Sequence, residues 1–196
     1  MTEIAFGHLA RLCDESRLTI PSKPNMPATP PDLFALLDRL HIAHATIRHA
    51  PAFTVADAQA LRGQIRGGHT KNLFLKDKKG ALFLLVAMED AVIRLNELHG
   101  RIGAARLSFA SPALLMEKLG VPPGSVTPFA AINDTARAVS ILLDAAMMAR
   151  DILNFHPLDN TMTTTISSAD LMRFFEATGH HPRLIDLVHP NGQTGD

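Results

Sequence analysis

Two stretches of strand-forming residues on either side of a four-residue turn constrain this chain most. Thr70-Lys71-Asn72-Leu73-Phe74-Leu75-Lys76 runs into Asp77-Lys78-Lys79-Gly80, and Ala81 to Met88 returns as a very apolar segment. Asp and Gly suit a tight reversal, so the pattern predicts a β-hairpin. Just ahead of it stands Gly67-Gly68-His69. Two glycines let backbone approach a ligand closely. A lysine following such a loop is a common way to hold a phosphate or a polarised carbonyl.

The rest of the chain interleaves strands and helices irregularly. Residues 1–20 can form a short amphipathic helix. Pro21 to Pro31 holds five prolines in eleven residues, a stiff linker. The compact domain is expected to start near Met26 or Thr29, with Thr29 as N-cap and Pro30 at the first helical position. Leu33, Leu36, Leu37 and Leu40 share one face of the helix that follows. His44 to His49 alternates like a strand. Thr54 can cap a helix over Val55–Leu61. Helices are predicted at Leu95–Leu98 and Ser111–Leu119, and short strands at 125–132, 137–143, 152–155 and 161–166. Ser167 caps a last helix, Ala169–Thr178, and the remainder reads as a frayed tail. No βαβ spacing repeats, so a single α+β domain with a largely antiparallel sheet is expected over 26–180. Residues 1–25 form an N-terminal extension and 181–196 a tail.

Composition narrows the classes. Of 196 residues, 46% are hydrophobic, enough for a real core and against disorder. No apolar run is long enough to span a bilayer, and the first residues lack a signal peptide's basic start. A single cysteine, Cys13, rules out an internal disulfide and fits a reducing compartment, so a cytoplasmic protein is expected. The chain carries 19 basic and 19 acidic residues. Yet Arg62, Arg66, Lys71, Lys76, Lys78 and Lys79 crowd one segment against Asp77 alone. A polyanion meeting the protein at one place would account for this, as would a solvated hairpin tip.

Other chemistry is sparse. His69-Thr70 separates Gly68 from Lys71, which breaks the pattern of a nucleotide-binding P-loop. In Gly124-Ser125-Val126-Thr127-Pro128-Phe129, main-chain N–H groups can bind an oxyanion, or the segment is a plain turn. In Asn154-Phe155-His156-Pro157, the histidine before proline is held extended and can be aimed into a cleft. His41, His44 and His49 cross a helix end and a strand, and no Cys or carboxylate completes a metal set with them. No serine or cysteine nucleophile and no paired carboxylates stand out. Any hydrolysis would use water as the attacking group.

Taken in order, His49-Ala50-Pro51-Ala52-Phe53-Thr54-Val55, Gly67 to Asp77, Leu107-Ser108-Phe109-Ala110, Gly124 to Phe129, Ile132-Asn133-Asp134 and Asn154 to Pro157 resemble the prolyl-tRNA editing domains. These are YbaK-like aminoacyl-tRNA deacylases, and within them the free-standing Ala-tRNA(Pro) deacylases are most similar. The resemblance spans roughly Ala28 to Thr178. It implies a mixed α/β domain with a curved sheet flanked by helices, and hydrolysis of the ester joining a mischarged amino acid to tRNA(Pro).

It also implies roles by position. Lys71 would hold the terminal adenosine or its phosphate and help place the ester. Gly124 and Pro128 match a Gly-x-x-x-Pro loop whose backbone shapes the amino-acid pocket, and His156 lines that pocket. Thr70, Asn72, Ser125 and Phe129 join as substrate contacts. Arg62, Arg66, Lys76, Lys78 and Lys79 are candidates for tRNA phosphates. With no Trp or Tyr, base stacking would fall to Phe or Arg. The partner implied is the tRNA(Pro) acceptor end, with prolyl-tRNA synthetase or an elongation factor as transient partners. No cofactor, metal or membrane is called for. One departure is expected to matter: Ala130 stands where members often carry glycine, and its methyl would narrow the pocket or alter the loop. Alternatives are a non-catalytic tRNA- or synthetase-binding module, editing of Cys or Ser, and a small-molecule phosphate binder.

Overall fold

The computed structural model describes residues 26–49 and 65–187. The expected N-terminal helix, the Val55–Leu61 helix and Arg62 lie outside them. The chain opens with helix α1 (Pro30–Arg39), followed by strand β1 (His44–Arg48) and the hairpin β2 (Gly68–Asp77) and β3 (Leu82–Met88). Helix α2 (Leu95–Ile102), strand β4 (Leu107–Phe109) and helix α3 (Pro112–Leu119) come next. A 3-10 turn at Pro128–Asn133 leads to β5 (Val139–Asp144) and the short α4 (Ala145–Met148). Strands β6 (Ile152–Phe155) and β7 (Met162–Ser167), helix α5 (Ser168–Ala177) and β8 (Arg183–Ile185) complete the chain.

Local signals explain these boundaries. Asp32 accepts from both the N–H and the hydroxyl of Thr29, at 2.9 and 2.6 Å, and ties down the start of α1. Ser111 Oγ accepts from Leu114 N–H ahead of Pro112, and Ser167 Oγ accepts from Asp170 N–H. Residues 125–132 do not form the expected strand. Pro128 fixes the first turn of the 3-10 segment and Thr127 Oγ1 accepts from Phe129 N–H.

The sheet runs β1-β7-β6-β2-β3-β5-β8, with β4 also on β2. The β1–β7, β7–β6, β2–β3 and β2–β4 pairs are antiparallel, while β2–β6, β3–β5 and β5–β8 are parallel. The expected tail therefore starts later than residue 181. Arg183 to Ile185 add a strand alongside Leu142 to Asp144. His180, just ahead of it, is buried against Asp134, with Nε2 3.4 Å from Oδ2.

Strand alternation sends side chains into two cores. Phe74, Leu84 and Val86 join α1, α5 and the 3-10 turn in the larger one. Leu75, Phe83 and Leu85 meet α2, Leu107 and Ile185 in the smaller one. The edge of β2 away from β3 is shared. β6 pairs only with Gly68 and His69, and β4 only with Leu75 to Asp77. Between them, residues 70–73 have no strand partner on that edge among the described residues, which leaves a notch.

Candidate functional site

The notch gathers the polar groups. Asn154 on β6 organises it from a position only 4% exposed. Its amide donates to Arg66 O at 3.0 Å, its side-chain oxygen accepts from Thr165 Oγ1 at 2.7 Å, and its carbonyl accepts from Thr70 Oγ1 at 2.9 Å. The Thr70 hydroxyl is thus engaged in structure. Gly67 (φ +109°) passes so close to β6 that a Cβ would lie 2.8 Å from Ile152 Cγ2 and 3.0 Å from Ile152 O. The expectation that this glycine makes room for a ligand is therefore corrected: the close approach is to a neighbouring strand.

Lys71 follows, half-buried, with Nζ donating to Ala91 O. Alternation puts Lys71 on the side of Leu73 and Leu75, and Asn72 on the side of Phe74. Asn72 Oδ1 is buried with no hydrogen-bond partner among the described residues. An orphaned buried acceptor is costly, so this oxygen favours any donor that can reach it. Ala91 also lines a cleft of about 540 Å³ together with Met88, Arg94, Arg101 and Asp144. Within it, burial pushes the Asp144 carboxyl up and nearby Asp186 adds to that, against the N–H groups of Ala146, Met88 and Met147.

His156 stands two residues beyond Asn154. Its Nδ1 lies 2.8 Å from Met162 O, and its ring centroid lies 6.3 Å from that of His49. A carbonyl only accepts, so Nδ1 carries the proton. Burial holds the imidazole below its ordinary pKa, and His49 adds to this, while the Met162 carbonyl and Asp159 oppose it. The ring is neutral near pH 7, and Nε2 is left as an acceptor. His49 Nε2 in turn lies 2.9 Å from Thr163 Oγ1. His49, Thr163, Thr165 and Asn154 were given no role from sequence. The signal was there in Met162-Thr163-Thr164-Thr165-Ile166, whose alternation sets Thr163 and Thr165 on the side opposite Ile166.

The second loop divides into turn and core. Gly124 (φ +88°) is exposed, and a Cβ there would come within 3.4 Å of Asn160 Nδ2, on the segment leading from His156 to β7. Ser125 is buried and its N–H donates to Pro122 O. Pro128 is buried, and Phe129 is fully enclosed with its ring edge-on to Phe155 and Phe174 at 5.7 and 5.4 Å. Phe129 is thus a core residue, and its expected contact with substrate is corrected. Ala130 is also wholly buried, in the larger core and outside the left-handed region, so its methyl packs inward.

The predicted tRNA contacts split. Arg66 is at the glycine end of β2, while Lys76, Lys78 and Lys79 are exposed at the other, about 26 Å of strand beyond Gly68. There Asp77 ties the turn together. Oδ1 accepts from Lys79 and Ala81 N–H, and Oδ2 from Ala105 N–H. Burial works to raise its pKa, but these backbone donors and Gly80 N–H outweigh it and hold the carboxyl below its ordinary value. Of the other histidines in the His41–His49 set, His44 serves structure: it stacks on Phe34 at 5.5 Å and bonds Asp38.

The α/β domain thus carries Lys71 on β2 and a neutral His156 just past β6, the strand paired with the start of β2. The family model of the aminoacyl-tRNA editing domain matches residues 49–174. Over 158 residues, 80% of this chain and 86% of the relative, the sequence is 40% identical to prolyl-tRNA synthetase associated domain-containing protein 1 of Danio rerio. It is 35% identical to the prolyl-tRNA editing protein ProX of Acetoanaerobium sticklandii, across 79% of this chain and 95% of that one. Among solved structures, the crystal structure of a hypothetical protein shares the fold with a TM-score of 0.63 and 21% identity, covering 79% of this chain and 97% of that one. The chain belongs to the aminoacyl-tRNA editing domain family, and its class of activity is aminoacyl-tRNA deacylation.

Proposed function

We propose that this protein acts in trans on mischarged tRNA(Pro), with Ala-tRNA(Pro) as its preferred substrate. The observation that supports the reading is the pairing of β6 with the glycine end of β2, which sets Asn154 opposite His69 and runs the strand leading to His156 alongside the one carrying Lys71. Water attacks the ester carbonyl, the bond from the acyl carbon to the ribose oxygen breaks, and that oxygen leaves with a proton. Lys71 holds the terminal nucleotide's negative charge close to the ester. Nε2 of His156 accepts a hydrogen bond from the substrate's amino or hydroxyl group. Asn72, on the opposite face of β2 from Lys71, takes no part in this contact. A tight pocket rejects proline by bulk. That is a stronger filter than the roughly 1–3 kcal/mol available from one methylene of binding.

The alternative of a non-catalytic module rested on Ala130, and a methyl packed into the core gives it no support. Among the described residues no helix is long and apolar enough to cross a membrane. We take the cytoplasm as the compartment, since that is where charged tRNA is met. The test is release of amino acid from Ala-, Cys- and Ser-charged tRNA(Pro) and from Ala-tRNA(Ala). Ala-tRNA(Pro) is expected to be consumed fastest. Faster loss of the Cys or Ser ester would reassign the substrate, and hydrolysis of none would refute the proposal.

A further inference from the structure

Among the described residues one phenylalanine is left in water: Phe109, at the end of β4, is 64% exposed. Its surroundings give the exposure a use. Leu107, two residues earlier, is buried in the smaller core, and Leu75, directly opposite Phe109, is fully buried there too. Phe109 therefore sits on the same side of β2 as Leu75, Leu73 and Lys71. It borders the notch from the β4 end, as His156 does from the β6 end.

Cations line the other face of the same strand edge, since Lys76, Lys78 and Arg106 alternate with Leu75, Asp77 and Leu107. Lys78 N–H donates to Arg106 O at 3.1 Å, and Ser108, paired with Lys76, donates from Oγ to Lys76 O. Lys76, Lys78, Lys79 and Arg106 are all exposed, and none is ion-paired among the described residues. The one acid in this stretch, Asp77, is buried and spends its oxygens on backbone N–H groups. A ring on one face of an exposed strand edge and unpaired cations on the other let a single strand wrap that edge, its base stacked and its phosphates neutralised.

Spacing selects which part of the nucleic acid. Phe109 stands at the level of Leu75, four residues from Lys71, or about 13 Å of strand. Stacked nucleotides advance about 3.4 Å each along one strand, so this is the reach of about four nucleotides. We propose that Phe109 is a stacking platform for a base about four nucleotides from the esterified end of the tRNA, with Lys78 and Arg106 on the adjoining phosphates. The count from Lys71 rests on the function proposed above; the platform itself does not require hydrolysis.

The chain has no tryptophan, so Phe109→Trp installs a single fluorophore at the site. Its emission is expected to be quenched by uncharged tRNA(Pro), and much less by the same tRNA shortened by four nucleotides at its 3′ end. Phe109→Leu, which keeps an apolar side chain and loses the ring, raises KM for the charged tRNA about tenfold with kcat little changed, and Phe109→Tyr restores it. A short aminoacylated oligonucleotide that ends before the platform shows no such penalty. Lys78→Ala lowers the slope of log affinity against log salt by about 0.7 to 0.9. Emission indifferent to tRNA, together with an unchanged KM in Phe109→Leu, would overturn the platform. A wild-type protein that hydrolyses nothing while Phe109→Trp is still quenched would refute the deacylase reading and leave the platform standing.

Discussion

The two ends of strand β2 carry similar sequence signals and do different things. Each has a glycine at positive φ and exposed positive charge nearby. At the hairpin end, Gly80 has open space around the position of a Cβ, and Asp77 satisfies the turn with backbone donors. At the other end, Gly67 is wedged against β6, the ladder on one edge lapses after His69, and Asn72 keeps a buried oxygen without a partner. Satisfied groups at the hairpin end, against a lapsed ladder at the other, support the proposal that the substrate sits at the second end. The basic hairpin, by contrast, is exposed, as the proposed contact with tRNA phosphates requires.

The largest expected effect comes from removing the cation at the unsatisfied end. Lys71→Ala should lower kcat/KM for Ala-tRNA(Pro) by about 10²-fold or more, in the range seen when a preorganised charge partner is deleted. Its thermal unfolding should stay near that of the wild type, because Nζ makes one half-buried bond to a loop carbonyl. Turnover within a few-fold of wild type would move the reactive end of the substrate away from β2.

The glycines sharpen the contrast. Gly67→Ala adds a Cβ 2.8 Å from a side-chain carbon and 3.0 Å from a backbone oxygen, on top of an unfavourable φ. It should destabilise by about 1–3 kcal/mol and more than Gly80→Ala, which suffers the φ penalty alone. Urea unfolding of the two variants measures the difference. Equal losses would mean that β6 yields easily, and that the notch is not rigidly framed by this contact.

Much of this was legible because it rests on local chemistry. The Asp77–Gly80 turn, the Ser111 and Ser167 caps and the alternation of β2 and β3 are all near-neighbour effects. What was missed depends on pairing between distant segments. The three parallel pairings have no hairpin turn to announce them, and β8 is only three residues long. Residues 125–132 are apolar enough for a strand, but Pro128 and the Thr127 cap turn them into a 3-10 segment. The site followed the same rule. Lys71 and His156 could be named from short motifs. The hub at Asn154 could not, since its partners come from two other segments, Arg66 and Thr70 at the start of β2 and Thr165 on β7. Phe129 looked like a pocket residue beside a loop glycine, and only the packing of Phe155 and Phe174 around it shows that it belongs to the core.

A smaller and more specific effect is expected from His156, through pH. Its pKa is depressed below 6.5, with burial as the main cause. Between the folded value and the unfolded value the unfolded chain binds more protons, so stability is fully present above the unfolded pKa and declines as pH falls below it. The same protonation removes the Nε2 acceptor. The deacylation rate of the wild type should therefore fall on acidification with an inflection below pH 6.5, superimposed on the ester's own dependence on base. His156→Ala should lose that inflection and show a loss of about tenfold or less at pH 7.5, since a neutral hydrogen-bond acceptor contributes less than a charge. Measuring kcat/KM from pH 5 to 8 for both proteins decides the point. An inflection that persists in His156→Ala would show that this imidazole is not the titrating group.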